Sequence, residues 1–561
     1  MKFEMKTIFV SIIMAVLILP GCKKGMEPEI VQISPEKGGI STEITIEGFN
    51  FEPDASVDIG EVECSFVEVT GDFIYARVPS GIEPSVPLDV TVTNPGGRSA
   101  TVEEAFTAIP PELDFVNSAT KPSGITGSTV ILEGSAFGSL QGTSKIIFSD
   151  GAGGTVDVTV SSPDDWTDEF IITTVPSGAG NGPVYIETEL GKSNEIEFIL
   201  AQAATFSPST INWALTTSLP VAVSGHSADF VRIEDETSGD IKEFAYVTGG
   251  KNNTAATLNQ ALYGEINTDG TISEWVSASA MSAGVSFHQS IAATPFNSKV
   301  NGDGFLFALG GMDEDGNTTN TISKASINND GSLGTWESSN EVLPQGVHAL
   351  GAALFRSTIY IAGGATANNE PVAKVYKSEI DTLGQLGPWQ ELTDLPVAVS
   401  HHGFLTFGAY LYVVGGDSGA TEPDAASSTS NSSEVYYARL DIRTGDINDA
   451  GWVLNSNALQ KSRSKHTTLV AGGNLFLSSG IYAAAAQGSS ENIYAQINAD
   501  GTVTSFNGAT GSNTLSSQGG FNLFNQAGIS YVDANGIAHV MIIGGDNVNT
   551  QGTKSSNVLF Y

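Results

Sequence analysis

Six times along its second half the chain writes a short apolar strand that stops on glycine: YVTGG at Gly250, FALGG at Gly311, YIAGG at Gly364, YVVGG at Gly416, FLSSG at Gly480 and MIIGG at Gly545. An aromatic keeps step with them, as Trp213, Trp275, Trp336, Trp389, Trp452 and Phe506, at intervals of 53 to 63 residues. Repetition at such a period marks an array in which each unit covers the apolar face of its neighbour. Within a unit the text gives an inner strand opening near a His and a second strand ending in Gly-Gly. A polar loop follows, then a third strand such as NQALYGEIN, a turn, and a fourth strand centred on the aromatic. Four strands repeated six times predict an all-β fold with a six-bladed β-propeller over residues 203–561.

The ends of the repeat array support that count. Trp213 precedes the first Gly-Gly, while after the last only one strand, SSNVLFY, remains. The final blade then lacks an outer strand unless residues 211–215 supply it, and closure by the N-terminal strand also removes an exposed sheet edge. Paired glycine suits a strand end that needs positive φ and close backbone approach, and the aromatic suits the seam between blades. These units resemble kelch-type repeats of the galactose-oxidase-like superfamily.

Residues 29–202 carry no such period. Short alternating strands between Gly, Pro and Asn turns (EIVQISPEKGGISTEITIEGFNF, IYARVPSG, LDVTVTNPGG) predict a β-sandwich over residues 29–109. Ile33-Ser34-Pro35, Gly38-Gly39, the ITIEGFNF strand and Val78-Pro79 resemble the IPT/TIG family of immunoglobulin-like domains. A second copy over residues 110–202 places Gly134-Ser135-Ala136-Phe137 where the first has Gly48 to Phe51, and Val175-Pro176 where the first has Val78-Pro79. Trp166, just before its Val-Pro strand, is assigned to packing.

Lys2 and Lys6 precede an apolar run over residues 7–19, too short for a membrane span and right for a signal-peptide core. Leu19-Pro20-Gly21-Cys22 follows at once and resembles the lipobox of bacterial lipoproteins. The resemblance implies a signal peptide over 1–21, acyl chains on Cys22 as membrane anchor, and a lipidated tether over 22–28. Cys64 is then the only other cysteine, so no intrachain disulfide forms in the mature chain. Its alternating context, VECSFVEV, makes it a small buried hydrophobe. The 24 Lys and Arg against 62 Asp and Glu, a net −38, argue against nucleic acid as a partner.

Six of the seven histidines, His226, His288, His348, His401, His402 and His466, fall where one unit links to the next inner strand, and the last unit has Asn522 in that region. Repetition in every unit is what a scaffold role predicts, and a metal-binding ring is the rival reading. The pair His401-His402 breaks the pattern. QKSRSKH, with Lys461, Arg463, Lys465 and His466, is basic in an acidic chain. With Asp417 and Asp546, each directly after a Gly-Gly, these give the candidate ligand-binding set His401, His402, Arg463, His466, Asp417 and Asp546. Asp313, Glu314, Asp315 and Asn317 offer oxygens for Ca²⁺ but lack the downstream Glu of a full calcium loop.

The loops after Gly-Gly are polar and long, DSGATEPDAASSTSNSSE most of all, and emerge on the same face as the histidines. Amides and hydroxyls around a concave mouth suit hydroxylated ligands. No P-loop, nucleophile elbow, dinucleotide fingerprint or zinc spacing occurs. The copper-radical oxidases of the superfamily need a Cys cross-linked to Tyr, and residues 203–561 contain no Cys. The expectation is a non-catalytic, surface-exposed outer-membrane lipoprotein whose propeller binds a glycan, with the two sandwiches as a stalk. The layout resembles surface glycan-binding lipoproteins of Bacteroidota, although Cys22-Lys23-Lys24-Gly25 lacks the acidic pair frequent there. A protein-binding or adhesive scaffold and a mutarotase-like sugar isomerase stand as alternatives.

Overall fold

The structure is a computed structural model that describes residues 25–116, 122–200, 209, 211–234, 241–294, 304–482, 490–508, 522–533, 537–547 and 553–561. The expected signal segment and Cys22 lie outside the described residues. The chain is all-β: among the described residues the only helical segment is a 3-10 turn, Pro163–Asp165. It divides into two compact units, Met1–Pro110 and Pro111–Tyr561.

The first unit is a sandwich. One sheet orders its strands Glu29–Ser34, Glu43–Phe49, Phe73–Arg77 and Val67–Thr70. The other orders Lys37–Gly38, Arg98–Ala108, Pro87–Asn94, Ser56–Ile59 and Val62–Glu63. Alternate residues of the two inner faces, Ile44, Ile46, Val57, Ile59, Ile74, Val90 and Val92, are buried, as period-2 patterning requires. Cys64 joins them as a free, buried thiol, its pKa pushed up to about 12 by burial and by Asp58 and Glu63.

The second unit opens with another sandwich, in which Thr129–Ser135 pairs with Glu112–Val116 and Phe170–Thr174 against a sheet built on Lys145–Ser149, Gly182–Thr188 and Ile196–Leu200. Trp166 is wholly buried in its core, and its indole N–H donates to Gly138 O at 2.9 Å. This sandwich does not stand apart. Ile131, Phe170 and Ile172 pack with Phe355, Tyr360 and Leu411 of the repeat region. The Arg356 guanidinium lies 3.2 Å above the Phe170 ring, and Arg439 pairs with Asp165. The break between compact units falls at Pro110/Pro111, beside the expected boundary between the two sandwiches, and the second sandwich lies in one compact unit with the repeat region.

Beyond it come six four-stranded antiparallel sheets, I to VI. Their first strands are Ser227–Glu234, Gln289–Ala293, Gly351–Phe355, Gly403–Phe407, Thr467–Ala471 and Ala527–Val532. These neighbour one another in chain order, and that of sheet VI lies beside those of both V and I. Sheets I to IV take their four strands consecutively and sheet V does so around the intervening Ile481–Tyr482, which pairs with Arg463–Ser464, whereas sheet VI takes its outermost from the front of the region. Ala214–Leu215 pairs antiparallel with Val558–Phe560, Ala214 opposite Phe560.

Apolar clusters fill the spaces between adjacent sheets, for example Val247, Leu262, Trp275, Met541 and Ile543 between I and VI. The indole N–H of Trp275, Trp336 and Trp452 donates to Thr217 O, Ser279 O and Thr393 O on the preceding link, at 2.9 to 3.0 Å. Tyr246, Tyr360 and Tyr412 reach from second strands to the turn carbonyls of Gly331, Gly445 and Gly501 on the next sheet, at 2.6 to 2.9 Å. Sheets I to IV therefore each carry at least one hydrogen-bonded hook into a neighbour, the polar tips that make Trp and Tyr useful at a seam.

Candidate functional site

One residue before the first strand of each sheet holds a left-handed backbone: Gly225, Phe287, Ala349, His401, Lys465 and Asn525, with φ of 50° to 59°. The N–H of Phe287 donates to Gly225 O, Ala349 to Phe287, His401 to Ala349, Lys465 to His401, Asn525 to Lys465 and Gly225 back to Asn525, at 2.7 to 3.0 Å. These six bonds form a cycle that touches all six sheets.

The next residue in each unit, His226, His288, Leu350, His402, His466 or Gln526, explains the paired glycines. The first glycine of a pair faces the following unit's residue: a Cβ on Gly363 would lie 2.4 Å from Val399 O and 2.8 Å from the His402 ring. The second glycine faces its own unit's residue, with a Cβ on Gly416 lying 2.6 Å from that of His402. Both glycines also need positive φ, so no side chain fits. Where the following residue is Gln526 instead of His, the first position is Ser479, still at φ 63°.

Burial leaves these imidazoles neutral at ordinary pH, lowering His226 and His402 to about 4 and His288 and His466 to about 3. His402 and His466 of the candidate set are thus wedges between sheets. His401 is different: it occupies a left-handed position of the cycle, edge-on to His348 with ring centroids 6.4 Å apart and to Phe287 at 6.2 Å. Burial and Lys465 hold it well below the usual histidine range.

Over this axis lies the long loop of sheet IV, residues 418–431. Lys465 Nζ donates to Glu422 O at 2.9 Å and Ala425 O at 2.7 Å, and Asn525 Nδ2 to Pro423 O at 2.9 Å. Asp424 pairs with Lys251 of sheet I at 2.7 Å, and that ammonium sits 5.1 Å from the Phe287 ring centre. Burial lowers Lys465 to about 8 against the opposing pull of Asp417, Asp424, Asp546 and Glu422. The loop is a strap across the mouth, and a cavity of about 90 Å³ lined by Phe287, His401, Lys465 and Asn525 remains at the axis.

The other candidates are spent on structure. Asp417 is buried, its backbone exchanging hydrogen bonds with Ser400 and its Oδ1 accepting from Gly419 N. Asp546 pairs with Lys554 at 2.9 Å. Arg463 is wholly buried, donating to Ser479 O with its guanidinium 5.1 Å from the Tyr482 ring centre and 3.7 Å from Glu491. The calcium candidate folds on itself: Asp313 Oδ1 accepts from Asp315 N and Asn317 N, and Glu314 accepts from Gly284 N. Among the described residues no cluster of three or more His, Cys, Asp or Glu is placed to hold a metal.

A second opening of about 300 Å³ lies beside the strap on sheet IV. Pro396, Val397, Val399 and Val413 line one part of it; Ser430, Asn431, Ser433, Glu434, Tyr436 and Ser462 line the rest. Tyr436 donates its hydroxyl to Glu434 Oε2 at 2.7 Å, and burial with that carboxylate pushes its pKa up to about 12. None of these residues was singled out in the sequence, where SSTSNSSE reads only as a polar loop.

The model of the IPT/TIG domain matches residues 28–107. That stretch is an IPT/TIG domain. Its Gly48, where a Cβ would meet Glu29 O at 2.1 Å and the Phe51 ring at 2.5 Å, has a counterpart in the second sandwich. There Gly134 would meet Glu112 O at 2.0 Å and the Phe137 ring at 2.6 Å, the same contact as in the IPT/TIG domain. No curated protein matches the chain. Among solved structures, one titled "Structure of YjhT" is 12% identical, covering 62% of this chain and 96% of its own, with a TM-score of 0.42.

Proposed function

We propose that residues 203–561 close into a six-bladed kelch-type propeller and that the protein is a non-catalytic lipoprotein, held to the outer membrane through Cys22, which recognises a carbohydrate. Closure is supported by the cyclic backbone hydrogen bonds and by the pairing of Ala214–Leu215 with the C-terminal strand. A binding role draws on how the loop face uses its ionisable groups: His402, His466, Asp417 and Arg463 pack between sheets, and the strap covers His401 and Lys465. What the face leaves accessible is the hydroxyls and amides of its loops, the groups that match sugar hydroxyls, beside the exposed charges of Glu314, Asp315, Glu370, Glu422, Asp424 and Lys461. That accessible chemistry is the observation on which the carbohydrate reading rests. The second sandwich, packed on sheets III and IV, acts with the propeller, so the spacer role falls to the IPT/TIG domain of residues 28–107.

A glycan microarray of neutral and acidic polysaccharides, probed with the full chain, tests the reading. Saturable binding to at least one class is expected. Silence across the array would overturn it in favour of a protein partner. That second reading is favoured by Val221 and Val397, equivalent positions in two LPVAVS segments, which stay 39% and 41% exposed.

A further inference from the structure

We propose that the cleft on sheet IV is the sugar subsite and that it takes an uncharged pyranose. This rests on the carbohydrate reading above and adds where the ligand sits and which sugars are refused. The axis offers no competing room, since the strap spans it and leaves a cavity of about 90 Å³, enough for a few waters. The cleft is about 300 Å³, the low end of small-molecule sites.

Its walls differ in kind. Pro396 and Val397, both exposed above the buried Val399 and Val413, present aliphatic surface, matching the C–H face of a pyranose. The rest of the lining carries groups that accept hydrogen bonds. Asn431 is oriented by its Nδ2, which donates to Ile481 O at 3.1 Å, and its Oδ1 is left buried without a hydrogen-bond partner. Solvent does not reach that oxygen, so a ligand hydroxyl meets it only once the side chain turns toward the cleft. Glu434 is held by its own N–H on Ser432 Oγ at 3.0 Å and by the Tyr436 hydroxyl on Oε2. An ionised carboxylate only accepts, so its remaining lone pairs also call for O–H donors. Adjacent hydroxyls of a sugar ring supply them, with Ser433 and Ser462 at the rim able to donate or accept.

Charge decides the class. The lining holds Glu434 and no Lys, Arg or His. A uronate or sialate carboxylate entering here meets a negative charge with no compensating cation, in a chain of net −38. Neutral hexoses meet only acceptors and hydroxyls.

The test uses the full chain on an array pairing neutral gluco-, manno- and galacto-oligosaccharides with polygalacturonate and alginate. Titration of the strongest binder against Ser433→Trp and Glu434→Gln follows. Ser433 is half-exposed, so the indole fills the cleft without entering the core. Expected are binding to neutral members only, at least a tenfold loss in Ser433→Trp with unchanged melting temperature, and a loss in Glu434→Gln. Preference for the uronates would overturn the proposal. So would undiminished binding by Ser433→Trp, which leaves the carbohydrate reading standing with its ligand elsewhere. If nothing on the array binds, the carbohydrate reading and this subsite fall together.

Discussion

His402 and its equivalents stand where other units carry Leu350 and Gln526, so the position needs a filling side chain and no charge. Folded pKa values of about 4 or 3 lie below the unfolded value near 6.5, which means the unfolded chain binds protons more readily. The stabilisation is complete above pH 6.5 and is lost as pH falls, toward 4 for His402 and toward 3 for His288 and His466, by on the order of 3–5 kcal/mol per histidine at roughly 1.4 kcal/mol per unit. His402→Gln, copying Gln526, should cost about 1 kcal/mol at pH 7. It should narrow the gap in melting temperature between pH 7 and pH 4.5; an unchanged gap would mean that His402 is not the proton acceptor. Backbone freedom matters beside it. Gly363→Ala, which meets Val399 O, should cost about 2–4 kcal/mol in urea denaturation, while Ser479→Gly should be near neutral.

Among elements, the strap is held by carbonyls on Lys465 and Asn525 and by one ion pair. Removing all three side-chain holds with Lys465→Met, Asn525→Gly and Asp424→Asn should speed amide exchange over residues 418–431 by tenfold or more and leave sheet IV protected. Equal protection in both proteins would show that the loop is held by its own turns. The strap also shows where sequence reading stopped. Strand ends, turns and the seam aromatics were legible because each is a local pattern repeated six times, and the outer strand from residues 211–215 followed from counting. The Lys251–Asp424 pair joins residues 173 apart, and no local pattern announces it. Likewise the histidines were visible as a set. Their division into the wedges His226, His288, His402 and His466, the axial His401, and His348 one place before the left-handed Ala349 depends on where each falls relative to that single left-handed residue.

At the scale of the molecule, the second sandwich and the repeat region share a core that neither could leave exposed. Phe170→Ala should cost about 3–5 kcal/mol by emptying the contact with Phe355, Tyr360 and Leu411, although Phe170 is far from any repeat in sequence. Deleting residues 25–110 should leave the melting temperature of the remainder unchanged, because that unit has its own core; a drop beyond 2 °C on calorimetry would contradict this. The cycle of six backbone bonds carries a further consequence. A linear repeat array can fray, losing its last unit while the rest survives. A cycle has no last unit: releasing any one sheet severs two of its links at once and exposes two apolar faces. Unfolding of residues 211–561 should accordingly be all-or-none despite their length, with one calorimetric peak and no partly melted forms for a protease to trim.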